Sequence, residues 1–226
     1  MNAKFGVGEW IPMPRFEHLQ PSGKKRLIDD GFRYEHNDTT GYEQTMECCT
    51  VVQPRPHLRA VAKEARSEGV KRDEFRTLRF ETGGEDMPDA YRWIPSMPCE
   101  AQYNVIAVYD ERTGEWMFQI IYGHVFGKGV AVNNFHEVKV FLQTMGRRWT
   151  LVLVSMFFDD ATIQDLCDAK GRGQRHFRSV TRLVGFPMAK PKQFDMCYET
   201  NFIGLVHNVR SAAYEDVIKF WPRETH

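Results

Sequence analysis

Trp149-Thr150-Leu151-Val152-Leu153-Val154-Ser155-Met156-Phe157-Phe158 runs for ten residues without a charge and stops on Asp159-Asp160. A continuous apolar run, not an alternating one, predicts a strand buried on both faces. Two carboxylates side by side at the tip of such a strand repel each other and are costly to desolvate, so the pair asks for a compensating cation, with magnesium the natural candidate. The plainer alternative makes Asp160 the N-cap of a helix beginning near Thr162. Ten residues are half of what a membrane-spanning helix requires, so no transmembrane segment is expected.

Outward from this run, the chain has 226 residues, 42% hydrophobic and 13% aromatic, enough for one large domain or two small ones with a sizeable core. The N-terminus, MNAKFGVGEWIPMPRF, lacks the basic and apolar regions of a secretory signal, which predicts an intracellular protein of cytoplasm or nucleus. The five cysteines show no zinc or disulfide spacing and are read as reduced, mostly buried thiols; the five tryptophans are read as core anchors. Thirty basic and thirty acidic residues cancel, but not uniformly. Lys170, Arg172, Arg175, Arg178, Arg182, Lys190 and Lys192 fall in an acid-free stretch, while Glu81, Glu85, Asp86 and Asp89 gather before Tyr91. Separated signs suit a protein that holds cations at one place and phosphates at another; a solvated helix face is the bland reading of the basic run.

Local patterns give an α+β chain, with an antiparallel sheet and helices on one face. Residues 1–22, with Pro12, Pro14 and Pro21, read as an irregular arm. Leu58 to Glu68 reads as a helix, and Asn104 to Tyr109 with Trp116 to Tyr122 as a hairpin. Val130, Phe135, Val138, Leu142 and Met145 mark an amphipathic helix that Gly146 should stop. Gly83-Gly84 reads as a flexible lead into the segment bearing Asp86. Helices are expected over Ile163–Ala169, Gln174–Val184 and Ala212–Trp221, and a strand over Asn201–Val209. The histidines show no ligand spacing and read as satisfied core or surface groups.

Several blocks now stand in a definite order. Asp86-Met87-Pro88-Asp89-Ala90-Tyr91, soon followed by Ile94-Pro95, resembles the D-x-x-x-A-Y block of retroelement reverse transcriptases. Tyr122 to Phe135, containing Phe126-Gly127, is similar to their F-G-x-x-x-A-x-x-x-F block, and Phe157-Phe158-Asp159-Asp160 to Y-x-D-D, with Phe157 in place of the tyrosine. Leu183 to Pro187 with Lys192 resembles the L-G-x…K block, Asn201 to Leu205 the F-L-G turn, and Gly23 to Asp30 with Asn37 the fingers strand G-K-x-R-x-x-x-D…N. Six blocks in order cover Gly23 to Leu205.

The resemblance implies a right-hand polymerase with fingers and palm. Its divisions would be an arm at 1–22, a first part of the fingers at 23–80, a palm at 81–210 with a fingers hairpin inserted at 94–126, and a C-terminal helix or truncated thumb at 211–226. It implies RNA-directed DNA polymerase activity. Asp86, Asp159 and Asp160 would hold two Mg²⁺ ions, and Lys192 would lie near the leaving group. Lys25, Arg26, Tyr91, Phe126 and Gly127 would contact the incoming dNTP, Tyr91 as the ring that excludes a 2′-hydroxyl. Arg175, Arg178 and Arg182 would follow the backbone of an RNA or DNA template with its primer. After Leu205 only 21 residues remain, so the thumb is expected to be absent or truncated. The alternative is a catalytically inactive derivative that at most binds nucleic acid.

Overall fold

The computed structural model describes residues 1–21, 23–41, 45–189 and 194–223. In chain order the elements are α1 (Asn2–Phe5), β1 (Pro12–Leu19), β2 (Lys25–Asp29), α2 (Pro54–Ser67), α3 (Arg72–Phe75), β3 (Phe80–Asp86), β4 (Val105–Asp110), β5 (Glu115–Ile120), α4 (Gly129–Trp149), β6 (Leu153–Phe157), β7 (Asp160–Leu166), α5 (Arg172–Leu183), β8 (Phe194–Cys197), β9 (Glu199–Phe202), β10 (Leu205–Asn208) and β11 (Lys219–Pro222). Short 3-10 turns lie at Ala90–Trp93, Pro98–Tyr103 and Cys167–Ala169. The chain forms two units, Met1–Met46 with Asp89–Glu137, and Glu47–Pro88 with Val138–His226.

The first unit is built on a four-stranded sheet, β2-β1-β4-β5, in which only β1 and β4 run parallel. Within the stretch read as an irregular arm, Pro12–Leu19 is therefore a regular strand. Pro12 and Pro14 lack an N–H, which suits the start of a strand, and from Arg15 onward β1 pairs with β2 in an unbroken ladder. The 104–122 hairpin forms as expected, its turn closed by Gly114 at φ 71°. Arg15 clamps the buried Asp29 with two hydrogen bonds of 2.6 and 3.0 Å. Met13, Val105, Val125 and Phe135 are fully buried.

The second unit carries two antiparallel sheets, β6-β7-β3-β8 and β11-β10-β9. Several expectations change here. α4 runs through Gly146 to Trp149. A Cβ at Gly146 would come within 2.9 Å of Val154 Cγ1 and 3.0 Å of Phe177 Cδ2, so this glycine serves close packing and does not end the helix. The apolar run therefore starts as helix, and only Leu153–Phe157 is strand. Ile163–Ala169 is not a helix but the body of β7 and a 3-10 turn. Gly83 and Gly84 lie inside β3, where a Cβ on Gly83 would meet Met196 Sδ at 2.7 Å and one on Gly84 would meet Phe194 Cδ2 at 3.0 Å; they admit β8. Asn201–Val209 contains a hairpin turning at Ile203-Gly204, and the helix expected within 211–226 is replaced, among the described residues, by β11 paired with β10. Alternating Phe220 and Pro222 with Trp221 suit a strand better than a helical face.

Helices cover both faces of the β6-β7-β3-β8 sheet. Phe177 of α5 lies near Gly146 and Val154, and Gly173 donates to Asp165, whereas α2 reaches the opposite face through His57 and Gln164. The edge strand β6 is closed by α4: Met156 N–H donates to Gln143 Oε1 (2.9 Å) and Arg147 Nε to the Val154 carbonyl (2.7 Å). The cysteines are free but exposed or half-buried, and Trp93, Trp116, Trp149 and Trp221 are exposed, so neither group forms the core.

Candidate active site

Asp86 is the last residue of β3 and Asp160 the first of β7, and the two are direct partners in the antiparallel ladder. Alternation along each strand then places Thr82, Gly84 and Asp86 on the same face as Gln164, Thr162 and Asp160. Facing pairs of this kind hold their Cβ atoms about 5 Å apart. Phe157 also pairs with Asp160, so Phe158 and Asp159 form a two-residue turn. Phe158 sits at φ 50°, a left-handed conformation that is strained for a bulky residue. The Met87 N–H donates to the Asp159 carbonyl (3.0 Å) and the Ala189 N–H to that of Asp86 (2.7 Å), tying the ends of β3 and the β6–β7 turn together. Asp160 caps no helix, because β7 begins there. The fold thus brings the three predicted aspartates to one end of one sheet.

Among the described residues no three His, Cys, Asp or Glu side chains converge as a preformed metal cage. The carboxylate set still fits magnesium, which keeps several waters and is commonly held by one or two carboxylates together with substrate phosphates.

A buried polar seam lies on the same face, and sequence reasoning missed it. Arg147 Nη2 donates to Ser155 Oγ (2.6 Å), and the Ser155 hydroxyl to His57 Nε2 (3.0 Å). His57 Nδ1–H donates to Gln164 Oε1 (2.5 Å), and Gln164 Nε2 donates to the hydroxyls of Thr82 (3.0 Å) and Thr162 (2.8 Å). The acceptor role of Gln164 Oε1 fixes the His57 tautomer. Burial pushes the His57 imidazole down to about 4, so it is neutral near pH 7. His57 is a satisfied core histidine, as its lack of ligand spacing suggested. Its partners lie 98 and 107 residues away, which no local motif could reveal.

Glu85 points to the other face, where Arg178 Nε of α5 donates to its Oε1 at 2.6 Å. Burial pushes the Glu85 carboxyl up, and the Arg178 guanidinium opposes that shift. Arg178 is therefore committed to an internal carboxylate, unlike the other two cations predicted with it. Arg175 and Arg182 are exposed, with Arg175 also donating to the Lys170 carbonyl (2.7 Å). Lys192 lies outside the described residues.

In the first unit, Tyr91 and Phe126 are brought together: their rings meet edge to face at 4.9 Å, and Tyr91 meets Phe135 in the same way at 5.5 Å. Gly127 has φ 109°, and any Cβ there would collide with the Asp29 carbonyl, so the close backbone approach it permits is to β2. Asn37 braces this loop, donating to the Gly127 carbonyl and accepting from the Gly129 N–H, both at 2.9 Å. Lys128 Nζ donates to the Tyr103 carbonyl (2.9 Å) and to Asn104 Oδ1 (2.5 Å). Lys25 and Arg26 are exposed on β2; Lys25 pairs with Glu17 (2.6 Å), which raises its pKa, and Arg26 Nε donates to Gln20 Oε1 (3.1 Å).

No protein-family model matches the sequence, and no curated protein matches it. Solved structures do. The foamy viral protease-reverse transcriptase dRH in complex with double-stranded DNA is similar at a TM-score of 0.61 and 15% identity, covering 87% of this chain and 29% of that chain. The foamy viral protease-reverse transcriptase with double-stranded DNA gives 0.59 at 15% identity over 87% and 35% of the two chains. The selenomethionine-labelled CSH mutant of the prototype foamy virus protease-reverse transcriptase gives 0.60 at 13% identity over 88% and 23%. The chain spans about a quarter to a third of these proteins, and its fold is reverse-transcriptase-like.

Proposed function

We propose that this chain is an RNA-directed DNA polymerase domain that transfers deoxynucleotides from dNTP to a primer 3′-hydroxyl. The observation that carries the reading is the ladder pairing of Asp86 with Asp160, beside a strained turn that presents Asp159, in a reverse-transcriptase-like fold. Two Mg²⁺ ions, when bound, would activate the primer hydroxyl and neutralise charge on the departing pyrophosphate. The chain's own part is to hold acceptor oxygens in place. Asp86 and Asp159, with Asp160 adjacent, supply them, and the paired strands keep their spacing before substrate arrives. Tyr91, held between Phe126 and Phe135, acts as a fixed ring against the sugar of the incoming nucleotide. Lys25 and Arg26 offer charge to its triphosphate, with Lys192 near the leaving group, and Arg175 and Arg182 hold template and primer phosphates.

In this reading the fingers comprise 23–80 and the hairpin 94–126, and the palm is the remainder of 81–210. The β6-β7-β3-β8 sheet is its catalytic floor. Primer extension on an RNA template with Mg²⁺ tests the proposal: the parent should extend and Asp159→Asn should lose at least about a thousandfold in rate while keeping its thermal unfolding midpoint. Equal extension by both would refute the metal assignment. The second reading is an inactive derivative that at most binds nucleic acid. It requires tight primer-template binding without extension by the parent.

A further inference from the structure

Away from the carboxylates, three arginines from two chain segments line one cleft of about 350 Å³ in the second unit: Arg76 and Arg79 from one, Arg210 from the other, with Tyr198 and Tyr214. Among the described residues no Asp or Glu is in the lining. The backbone at each segment is fixed. The Arg79 carbonyl accepts from the Cys167 N–H (2.8 Å), the Arg76 N–H donates to the Arg72 carbonyl (3.1 Å), and the Arg210 N–H donates to Asn208 Oδ1 (3.1 Å). Val209, fully buried beside Arg210, donates its N–H to the Tyr198 carbonyl (2.9 Å). The Arg210 guanidinium lies 5.2 Å from the centre of the Tyr198 ring, a cation–π contact. Among the described residues the acid paired with the group is Asp73, which stands 3.9 Å from Arg76 and is 97% exposed, too weak a partner to neutralise three cations.

We propose that this cleft is a phosphate-binding site. Guanidinium groups present planar pairs of donors that match phosphate oxygens. Arg79 directly precedes β3, whereas Asp86 ends it, so the cleft lies roughly 20 Å along the sheet from the carboxylates at about 3.3 Å per residue. It is thus a site separate from the proposed reaction centre, and its existence does not depend on catalysis. The phosphate would belong either to a free phosphoanion or to a nucleic-acid backbone.

The test is calorimetric titration of the full chain with inorganic pyrophosphate in EDTA, at low salt. The parent should bind with a submillimolar Kd. Arg79→Gln with Arg210→Gln should weaken binding at least tenfold, and both are exposed, so the circular dichroism spectrum should not change; Arg210→Gln alone supplies the same comparison if the pair unfolds. Asp159→Asn should bind as the parent does, which separates this site from the carboxylates. Displacement of pyrophosphate by a 12-base-pair duplex identifies the backbone as ligand, and its retention identifies the free anion. No binding by the parent, or equal binding by the arginine variants, overturns the proposal, as does an equal loss in Arg175→Gln.

Discussion

Replacing Arg178 by Gln should damage stability, whereas the same change at Arg175 or Arg182 should not. Arg178 Nε lies 2.6 Å from Glu85 Oε1, and the Glu85 side chain is fully buried while that of Arg178 is 27% exposed. Removing one partner of a buried pair leaves a charge with neither water nor counterion, a loss of about 3–5 kcal/mol. For a chain of this size each kcal/mol is worth roughly 2–4 °C, so the midpoint should fall by about 6–20 °C. The pH dependence has a definite sign. Burial already raises the Glu85 pKa above its ordinary value, so the stability linked to its protonated form is present at low pH and is lost as pH rises through the raised folded value. Without Arg178 that loss grows, so the deficit should be greatest at neutral pH and shrink on acidification. Adding Glu85→Gln to Arg178→Gln should recover most of it. Urea denaturation of parent, single and double variants at pH 5 and 7.5 measures all of this. A cost under 1 kcal/mol at pH 7.5, or no recovery in the double variant, would refute the account. In parallel, Arg175→Gln with Arg182→Gln should leave urea midpoints unchanged and flatten the salt dependence of primer-template binding.

Gly127→Ala should lower the unfolding midpoint as well as activity, since its Cβ strikes the Asp29 carbonyl at a positive φ; full stability with activity lost would instead assign the glycine to substrate approach. His207 is fully buried between Phe202 and Phe220, and burial lowers its pKa to about 4, as it does for His57. The unfolded chain takes up these protons near pH 6.5 and the folded chain only near 4. Each should therefore remove on the order of 3 kcal/mol of stability as pH falls through that window, and His207→Phe should abolish its share, read from midpoints between pH 7.5 and 4. Tyr91→Ala should lower the dNTP over rNTP ratio of kcat/KM by at least tenfold, and an unchanged ratio would remove Tyr91 as the sugar gate.

The sequence was most legible where a pattern is local. The 104–122 hairpin, α2 and α5 follow from turn residues and apolar spacing. Legibility failed where packing partners are distant. β7 reads as a helix because Thr162 and Gln164 put polar groups on a buried face, and only the seam reaching to His57 and Ser155 makes that face satisfied. A glycine that admits Val154 and Phe177 looks in sequence like a glycine that stops a helix. Asp86, Asp159 and Asp160 were singled out by their order along the chain, and the strands that carry them end side by side, a placement that depends on pairing between segments 74 residues apart. The pairing of Arg178 with Glu85 was not legible because the two lie 93 residues apart.

The seam also bears on how this sequence can drift. Gln164 uses both ends of its amide, one oxygen for His57 and one nitrogen shared by two threonines, so a change at any of these positions strands the others. Sliding β7 by one residue would turn Gln164 toward the opposite face and carry Asp160 out of register with Asp86. Descendants of this chain should consequently exchange residues 57, 82, 155, 162 and 164 as a set, passing together from a polar to an apolar solution, or keep them all. Piecemeal substitution there would reach the carboxylates without touching them.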